Sequence, residues 1–424
     1  MWKCLAALAV LAVVPCAHAQ ASPSPAALTL EAAIERVAAS HPELQLYPLQ
    51  RDAALARLES ASLAPPLTVG VELEDVLGRG GSRGLRGAQT TVSLAGVLER
   101  GGKVDARRAV ALARIDSLAP QREIARLDLL AEVARRYLAI TAATAQRQIA
   151  LDDIEQRARA VQAARARLEA GASPHSTLLT AQAMLAQAEL DRDRAAQAER
   201  ASALALAALW KARQAPFQSV QGDPLRLPAL QPFDQLAVLL ERTPELSVIA
   251  TSQRVREAQL ALARSAQRSD VSWQLGVRNN QGSGDSGLVA GFTLPLGTAR
   301  RAGPEIREAQ AELALGAVER DARALQLHAT LAEAHGRYET ARLEVDRMER
   351  DVLPGLRRAE ASAGTAWRAG AISYLEWAQL QSMRIEARRR QLDAALAAQS
   401  ALIELQRLVG QPLVATASIQ GTTP

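Results

Sequence analysis

His328 and His335, with Glu333 between them, form the one constellation in this chain that invites a metal reading. On a helix seven residues span two turns, about 10 Å along the axis, too far for both imidazoles to hold one ion. No G-x-x-x-x-G-K-[ST] loop is present to cradle a phosphate, and no set of nucleophile, base and oxyanion donors is discernible. Carboxylates are abundant, but they are mixed with arginines along helical tracts, where they solvate rather than catalyse. Both cysteines, Cys4 and Cys16, fall in a leader, leaving the mature chain without a disulfide or a thiolate metal site. These residues predict no enzyme, no cofactor and no metal centre. Function must then lie in the shape of the elements.

Those elements are duplicated. HPEL at His41–Leu44 returns as TPEL at Thr243–Leu246, an offset of 202 residues, and Val69, Val71 and Leu73 meet Val271, Trp273 and Leu275 at the same offset. Tyr137 meets Tyr338 at 201, and Gly171 meets Gly370 at 199. Each half runs helix, strand pair, long helical hairpin, so two copies of one unit are expected.

The N-terminus reads as an export signal over residues 1–19: Lys3, an apolar run from Leu5 to Val14, and an A-x-A site at Ala17, His18 and Ala19. Acylation of Cys16 would instead give a lipoprotein, although Pro15 stands where a small residue is wanted. The apolar run is too short to span a bilayer, and no other stretch of about 18 apolar residues occurs. A membrane crossing would have to use strands. Net charge is +5, dispersed among Arg, Glu and Asp, and no basic stretch is interleaved with aromatics, which argues against nucleic acid. GRGGSRGLRG (Gly78–Gly87) lies between two strands and reads as a hairpin loop.

Strict alternation over Leu67–Leu73, then over Gln89–Leu94, predicts a strand hairpin with unlike faces. The second half repeats it, with Val271, Trp273, Leu275 and Val277 on one face and Ser272, Gln274 and Arg278 on the other, followed by a partner run from Leu288 to Leu296. These runs have about the 9 to 11 residues that cross a bilayer obliquely. Four strands cannot close a barrel, and open edges in lipid would strand main-chain amides, so several chains would have to pool their strands. A soluble sheet covered by helices would also alternate.

Positions 130, 133, 137, 140, 144, 147, 151, 154, 158, 161, 165 and 168 step by three and four, as do 331, 334, 338, 341, 345, 348 and 352, and both sets are mostly apolar. Such a repeat predicts coiled-coil packing. Continuous helices of this length would reach about 100 Å, with kinks expected at Pro120 and Pro354. At the first turn Gly171 is expected as a left-handed cap, with Ser173 as N-cap and Pro174 opening the next helix. At the second, Gly370 stops the helix and Ser373 with Glu376 predicts a capping box. Trp367, Tyr374 and Trp377 near this turn are either packing across it or an exposed contact for another protein.

LTLEAAIERVAASHPEL (Leu28–Leu44), RLEAGASPHSTLLTAQ and RAGAISYLEWAQLQ resemble the opening helix and the two hairpin turns of the TolC-like outer membrane efflux proteins, over essentially the whole mature chain. VSLAGVLERGGKVDARR, with Gly101, Gly102 and Lys103, is similar to the strand-to-helix junction of the CzcC-like, heavy-metal branch. The resemblance implies a mainly α chain with a small β part, built as a duplicated TolC-like fold. It further implies a homotrimer closing a twelve-stranded outer membrane barrel above a periplasmic coiled-coil tunnel, in a Gram-negative bacterium.

The expected role is a passive conduit, with outer membrane lipid, a periplasmic adaptor (membrane fusion) protein and an inner-membrane pump of the RND type as partners, and heavy-metal cations among the candidate cargoes. The alternatives are a channel for drugs or type I protein secretion, or a soluble periplasmic coiled-coil structural or adaptor protein. Adaptor contact is expected at the tips, at Gly171, Ser173, Pro174 and Thr177 and at Gly370, Ser373, Tyr374, Glu376 and Trp377. The expected organisation is a first repeat over 20–210 (strands about 67–77 and 88–98, hairpin about 103–210) and a Pro-rich equatorial segment over 211–234. A second repeat covers 235–408 (strands about 269–279 and 287–297, hairpin about 304–408), and a tail covers 409–424.

Overall fold

A computed structural model describes residues 27–77, 79–80 and 83–410. The leader, both cysteines and nearly all of the tail lie outside the described residues.

The chain opens with α1 (Leu30–Ser40), capped by the Thr29 side chain, which accepts from Ala32 N at 3.2 Å, and α2 (Pro42–Ser62). The stretch expected as one opening helix is thus two. His41 precedes proline and is held extended at φ −69°, ψ 128°, because the pyrrolidine ring disfavours helical geometry in the residue before it. The second half makes the same break: Thr243 is extended and Pro244 starts α7 (Pro244–Ser265), after a short α6 (Phe233–Leu239).

Strands β1 (Thr68–Glu74), β2 (Gln89–Leu98), β3 (Val271–Asn280) and β4 (Asp285–Thr293) form one antiparallel sheet in that order. β1 ends before the expected position 77 because Asp75 and Leu77 take positive φ and turn the chain. The register produces two unlike faces. Val71, Val92, Val277 and Leu288 align in one row, and Val69, Leu94, Leu275 and Ala290 in the next. Between them, on the opposite face, run Gly70, Ser93, Gly276 and Val289, then Glu72, Thr91, Arg278 and Gly287. The valines and leucines of the first two rows are exposed, whereas Thr91 and Ser93 are buried, with Arg278 donating to Thr91 Oγ1 at 3.1 Å. On the polar face glycine permits close approach; a Cβ on Gly276 would lie 2.7 Å from the Val92 carbonyl.

After β2 come α3 (Lys103–Asp116), α4 (Leu118–Glu169) and α5 (His175–Ala208); after β4 come α8 (Thr298–Arg347), a π turn (Met348–Val352), α9 (Leu353–Arg368) and α10 (Tyr374–Val409). The 52 residues of α4 span roughly 78 Å. α8 begins at Thr298, ahead of the expected 304, with Gly297 at φ 81° turning the chain into it and Pro304 inside its second turn.

The expected seam holds in α8 at Leu331, Ala334, Tyr338, Ala341 and Val345, but Leu353 rather than Val352 is buried next. The π turn inserts one residue per turn and rotates the helix face by that amount. In α4 the seam holds at Val133, Tyr137 and Ile140 and then drifts. Ala150, Asp153, Arg157, Ala160 and Ala164 are buried beside the expected Val161, and the expected positions Arg147, Leu151 and Arg165 are exposed. A straight 3.6-residue helix drifts against a 3.5-residue repeat, and α4 also packs on α10 as well as α5, which widens its buried face.

Tyr137 and Tyr338 tie the two hairpins to the proline-rich segment. Tyr137 Oη reaches the carbonyls of Leu28, at 2.8 Å, and Gln221; Tyr338 Oη donates to the Pro228 carbonyl. Burial pushes both phenols up to about 12. Each tyrosine sits in its own apolar cluster, with Val133, Ile140 and Leu206 around the first and Leu331, Leu405 and Leu408 around the second.

Candidate functional site

The two helical turns lie at the ends of the long hairpins, and each is built by local main-chain chemistry. Gly171 (φ 68°) donates to the Leu168 carbonyl at 2.9 Å while Ala172 N donates to Arg167 O at 2.8 Å. Gly370 (φ 80°) donates to Trp367 O at 3.0 Å while Ala371 N donates to Ala366 O at 2.9 Å. This is the Schellman pattern, and the left-handed residue it needs carries almost no cost for glycine.

The entries to the returning helices differ. At the second tip Ser373 Oγ accepts from Glu376 N at 3.2 Å and Ser373 N donates to Glu376 Oε2 at 2.8 Å, a reciprocal capping box. The Ser373 amide and hydroxyl hold the Glu376 carboxyl below its ordinary range. At the first tip Ser173 makes no such cap. Pro174 itself occupies the N-cap with ψ 156°, so the helix starts one residue later than expected, at His175. Thr177 there donates its main-chain N–H to Pro174 O at 3.1 Å.

The aromatic trio packs across the second tip and against the first hairpin. Trp367 is 4% and Tyr374 7% exposed, enclosed with Ala160, Val161, Ala164 and Leu178. Trp377 is half-buried and stacks on Trp367 with centroids 4.6 Å apart and planes 13° apart. Of the expected contact residues, Gly171, Pro174, Gly370, Ser373 and Glu376 are exposed, Ser173, Thr177 and Trp377 are half-buried, and Tyr374 is interior.

Two further groups shape the tips and escaped the sequence. Arg167 Nη1 donates to the Trp367 and Arg368 carbonyls, at 2.8 and 3.1 Å, and its guanidinium lies 5.5 Å from the Trp367 ring centroid. Leu179 and Leu375 stand exposed in the first turns beyond each tip. Position beside a helix-stopping glycine was the signal available for Arg167, since basic side chains favour last turns.

Above the tips, ion pairs join the hairpins, Arg388 to Asp152 at 2.6 Å and Arg389 to Asp191 at 2.6 Å, while Arg384 Nε to Glu360 at 2.5 Å ties α10 to α9 within the second hairpin. Gln156 Nε2 also donates to Glu360, at 2.7 Å. Arg157 and Asp153 form a buried pair at 3.1 Å, and Arg157 reaches Ser382 Oγ at 2.9 Å. Burial raises the Asp153 carboxyl despite that partner. His328 and His335 both set their rings edge-on to Phe233, with centroids 5.3 and 5.8 Å away, and no cluster of metal-ligating side chains occurs among the described residues.

Long paired hairpins, a two-faced sheet at their far end and tied tips form one architecture, and comparison with known proteins identifies it. A family model described as outer membrane efflux protein matches residues 33–221. Residues 33–221 are thus similar to the outer membrane efflux proteins. The cobalt-zinc-cadmium resistance protein CzcC of Cupriavidus metallidurans is 25% identical over 391 residues, covering 91% of this chain and 90% of that protein.

Among solved structures, CusC superposes with a TM-score of 0.76 at 17% identity, over 90% of this chain and 92% of that one. The outer membrane protein VceC of Vibrio cholerae gives 0.72 at 16% identity, over 91% and 97%. The fold is TolC-like.

Proposed function

We propose that three copies of this chain pool their sheets into a twelve-stranded barrel in the outer membrane of a Gram-negative bacterium, with the hairpins extending into the periplasm as a tunnel. The observation that carries this reading is the sheet. Its valine and leucine rows face outward, its Thr91, Ser93 and Arg278 face inward, and β1 and β4 have unpaired outer edges. In a bilayer those edges must pair, and three equal sheets joined edge to edge satisfy them. A soluble coiled-coil adaptor has no use for an exposed apolar band.

Two repeats, over 20–210 and 235–408, are the natural division of the chain, and the equivalent anchoring of Tyr137 and Tyr338 supports it. The channel is passive; the driving force comes from an inner-membrane pump, of the RND type, joined through a periplasmic adaptor that meets the tips around Gly171–Thr177 and Gly370–Trp377. The likeness to CzcC supports divalent heavy-metal cations as cargo.

The test is complementation. In a strain deleted for this chain, cobalt, zinc and cadmium tolerance should fall and return with the gene, while drug tolerance and protein secretion stay constant. Unchanged metal tolerance with altered drug tolerance or secretion would assign the channel to another pump.

A further inference from the structure

The strand-to-helix junctions hold an unusual concentration of positive charge. Residues 99–108, 264–270 and 298–307 carry nine basic and four acidic side chains, an excess equal to the formal +5 of the whole chain. Contacts between the junctions make them one collar. Arg100 N donates to Asp270 Oδ1 at 3.0 Å, a Cβ on Gly101 would lie 2.7 Å from the Arg268 side chain, and Ser269 Oγ lies 2.8 Å from Thr298 Oγ1.

Two of the four carboxylates are already engaged, Glu99 with Arg107 at 2.6 Å and Asp270 with Lys103 at 2.7 Å. That leaves Asp105 and Glu305 to face seven exposed guanidiniums. Arg100 and Arg108 flank the start of α3, Arg264 and Arg268 end α7, and Arg300, Arg301 and Arg307 open α8. None of the seven forms an ion pair among the described residues; some coil arginines, such as Arg126, Arg347 and Arg390, do pair within their own stretch of helix, so it is the concentration of the seven at one place that sets the collar apart.

Directly beside this collar, on the strand side, are bare apolar side chains: Leu98 is 61% and Leu296 89% exposed. An apolar band ending in a belt of unpaired cations is the profile of a surface that meets lipid tails above and anionic headgroups below. We propose that the collar binds the anionic headgroups of phospholipids in the periplasmic leaflet, fixing the depth of the barrel. This rests on the outer membrane reading above.

The test reconstitutes the full-length protein in phosphatidylcholine vesicles containing a minor fraction of phosphatidylglycerol and measures enrichment of labelled phosphatidylglycerol over labelled phosphatidylcholine at the protein. Each basic residue at an anionic surface contributes up to about fivefold in partitioning. The wild type should enrich phosphatidylglycerol several-fold, less so as salt rises. Arg300→Gln/Arg301→Gln/Arg307→Gln should lose most of that enrichment, the matching three Lys substitutions should retain it, and Arg347→Gln/Arg350→Gln on the distant coil should not change it.

Absence of enrichment by the wild type, or its persistence in the triple Gln protein, overturns the proposal. So does a triple Gln protein that changes ion selectivity of conductance without changing lipid enrichment, because the arginines would then line the tunnel. Failure of the wild type to enter the vesicles at all would instead overturn the membrane reading itself.

Discussion

Arg167 and Trp367 lie 200 residues apart in sequence, yet the Arg167 guanidinium donates to the Trp367 carbonyl at 2.8 Å, tying the end of one hairpin's first helix to the end of the other's. Trp367 in turn stacks on Trp377, so a main-chain contact, a cation over a ring and a ring stack meet at one point. Replacing Arg167 by Ala leaves two carbonyls without their donor, at about 1 to 3 kcal/mol for a group that stays buried. Amide exchange over residues 365–378 should accelerate while the strands keep their protection. Unchanged exchange would mean that the aromatic stack holds the tips without the guanidinium.

Gly370 tests the turn itself. Its φ of 80° is hostile to a β-branched residue, although the nearest atom to a Cβ would be Arg167 Nη2 at 3.8 Å, so strain rather than crowding is at issue. Gly370→Val should cost at least about 1 kcal/mol and misdirect α10, giving normal outer membrane levels with lost efflux and weakened cross-linking to the adaptor. Gly336, inside α8 with open space around it, is the contrast: Gly336→Ala should be neutral or gain up to about 1 kcal/mol. Full efflux by Gly370→Val would reduce the tips to ordinary turns.

Trp273 and Gln274 test which face of the sheet meets lipid. Trp273 aligns with Gly96 and Phe292 across the sheet, and a Cβ on Gly96 would lie 2.9 Å from its ring. An Arg at position 273 should cost about 2 to 4 kcal/mol if it lies near mid-bilayer and impair insertion, whereas Gln274→Arg should insert normally. Equal insertion of the two variants would reject the face assignment.

Tyr137 and Tyr338 predict an alkaline weakness. Their phenols titrate at about 12 in the fold against an ordinary 10, so the folded state retains protons that the unfolded state has lost. Stability from these groups is complete below pH 10 and declines as pH rises from 10 toward 12. Thermal denaturation of the detergent-solubilised protein should therefore steepen its pH dependence in that window, and Tyr137→Phe/Tyr338→Phe should flatten it. The double variant should also be less stable at neutral pH, by about 1 kcal/mol for each lost hydrogen bond.

The sequence by itself determined what is local. Alternation over Val69–Leu73 and Val271–Val277 specified two-faced strands, because successive side chains leave opposite sides of an extended chain. Gly370 with Ser373 and Glu376 specified a turn and its cap, because those bonds close within six residues. The duplicated offsets announced two similar units, and the apolar steps of three and four announced their hairpins.

Only the tertiary structure decided which neighbour each face meets. The seam of α4 drifts from Tyr137 to Asp153 and Arg157 because α10 as well as α5 packs on it, a fact absent from any heptad count. The π turn moves burial from Val352 to Leu353, and nothing in MERDV declares the inserted residue. Trp367 and Tyr374 turned inward because Ala160, Ala164 and Leu178, about two hundred residues away, leave room for them. The collar of arginines is likewise dispersed over three stretches of sequence. It becomes one surface only when β2 pairs with β3 and brings Arg100, Arg268 and Arg300 to the same end of the sheet, since hydrogen-bonded register, and not spacing along the chain, sets which charges are adjacent.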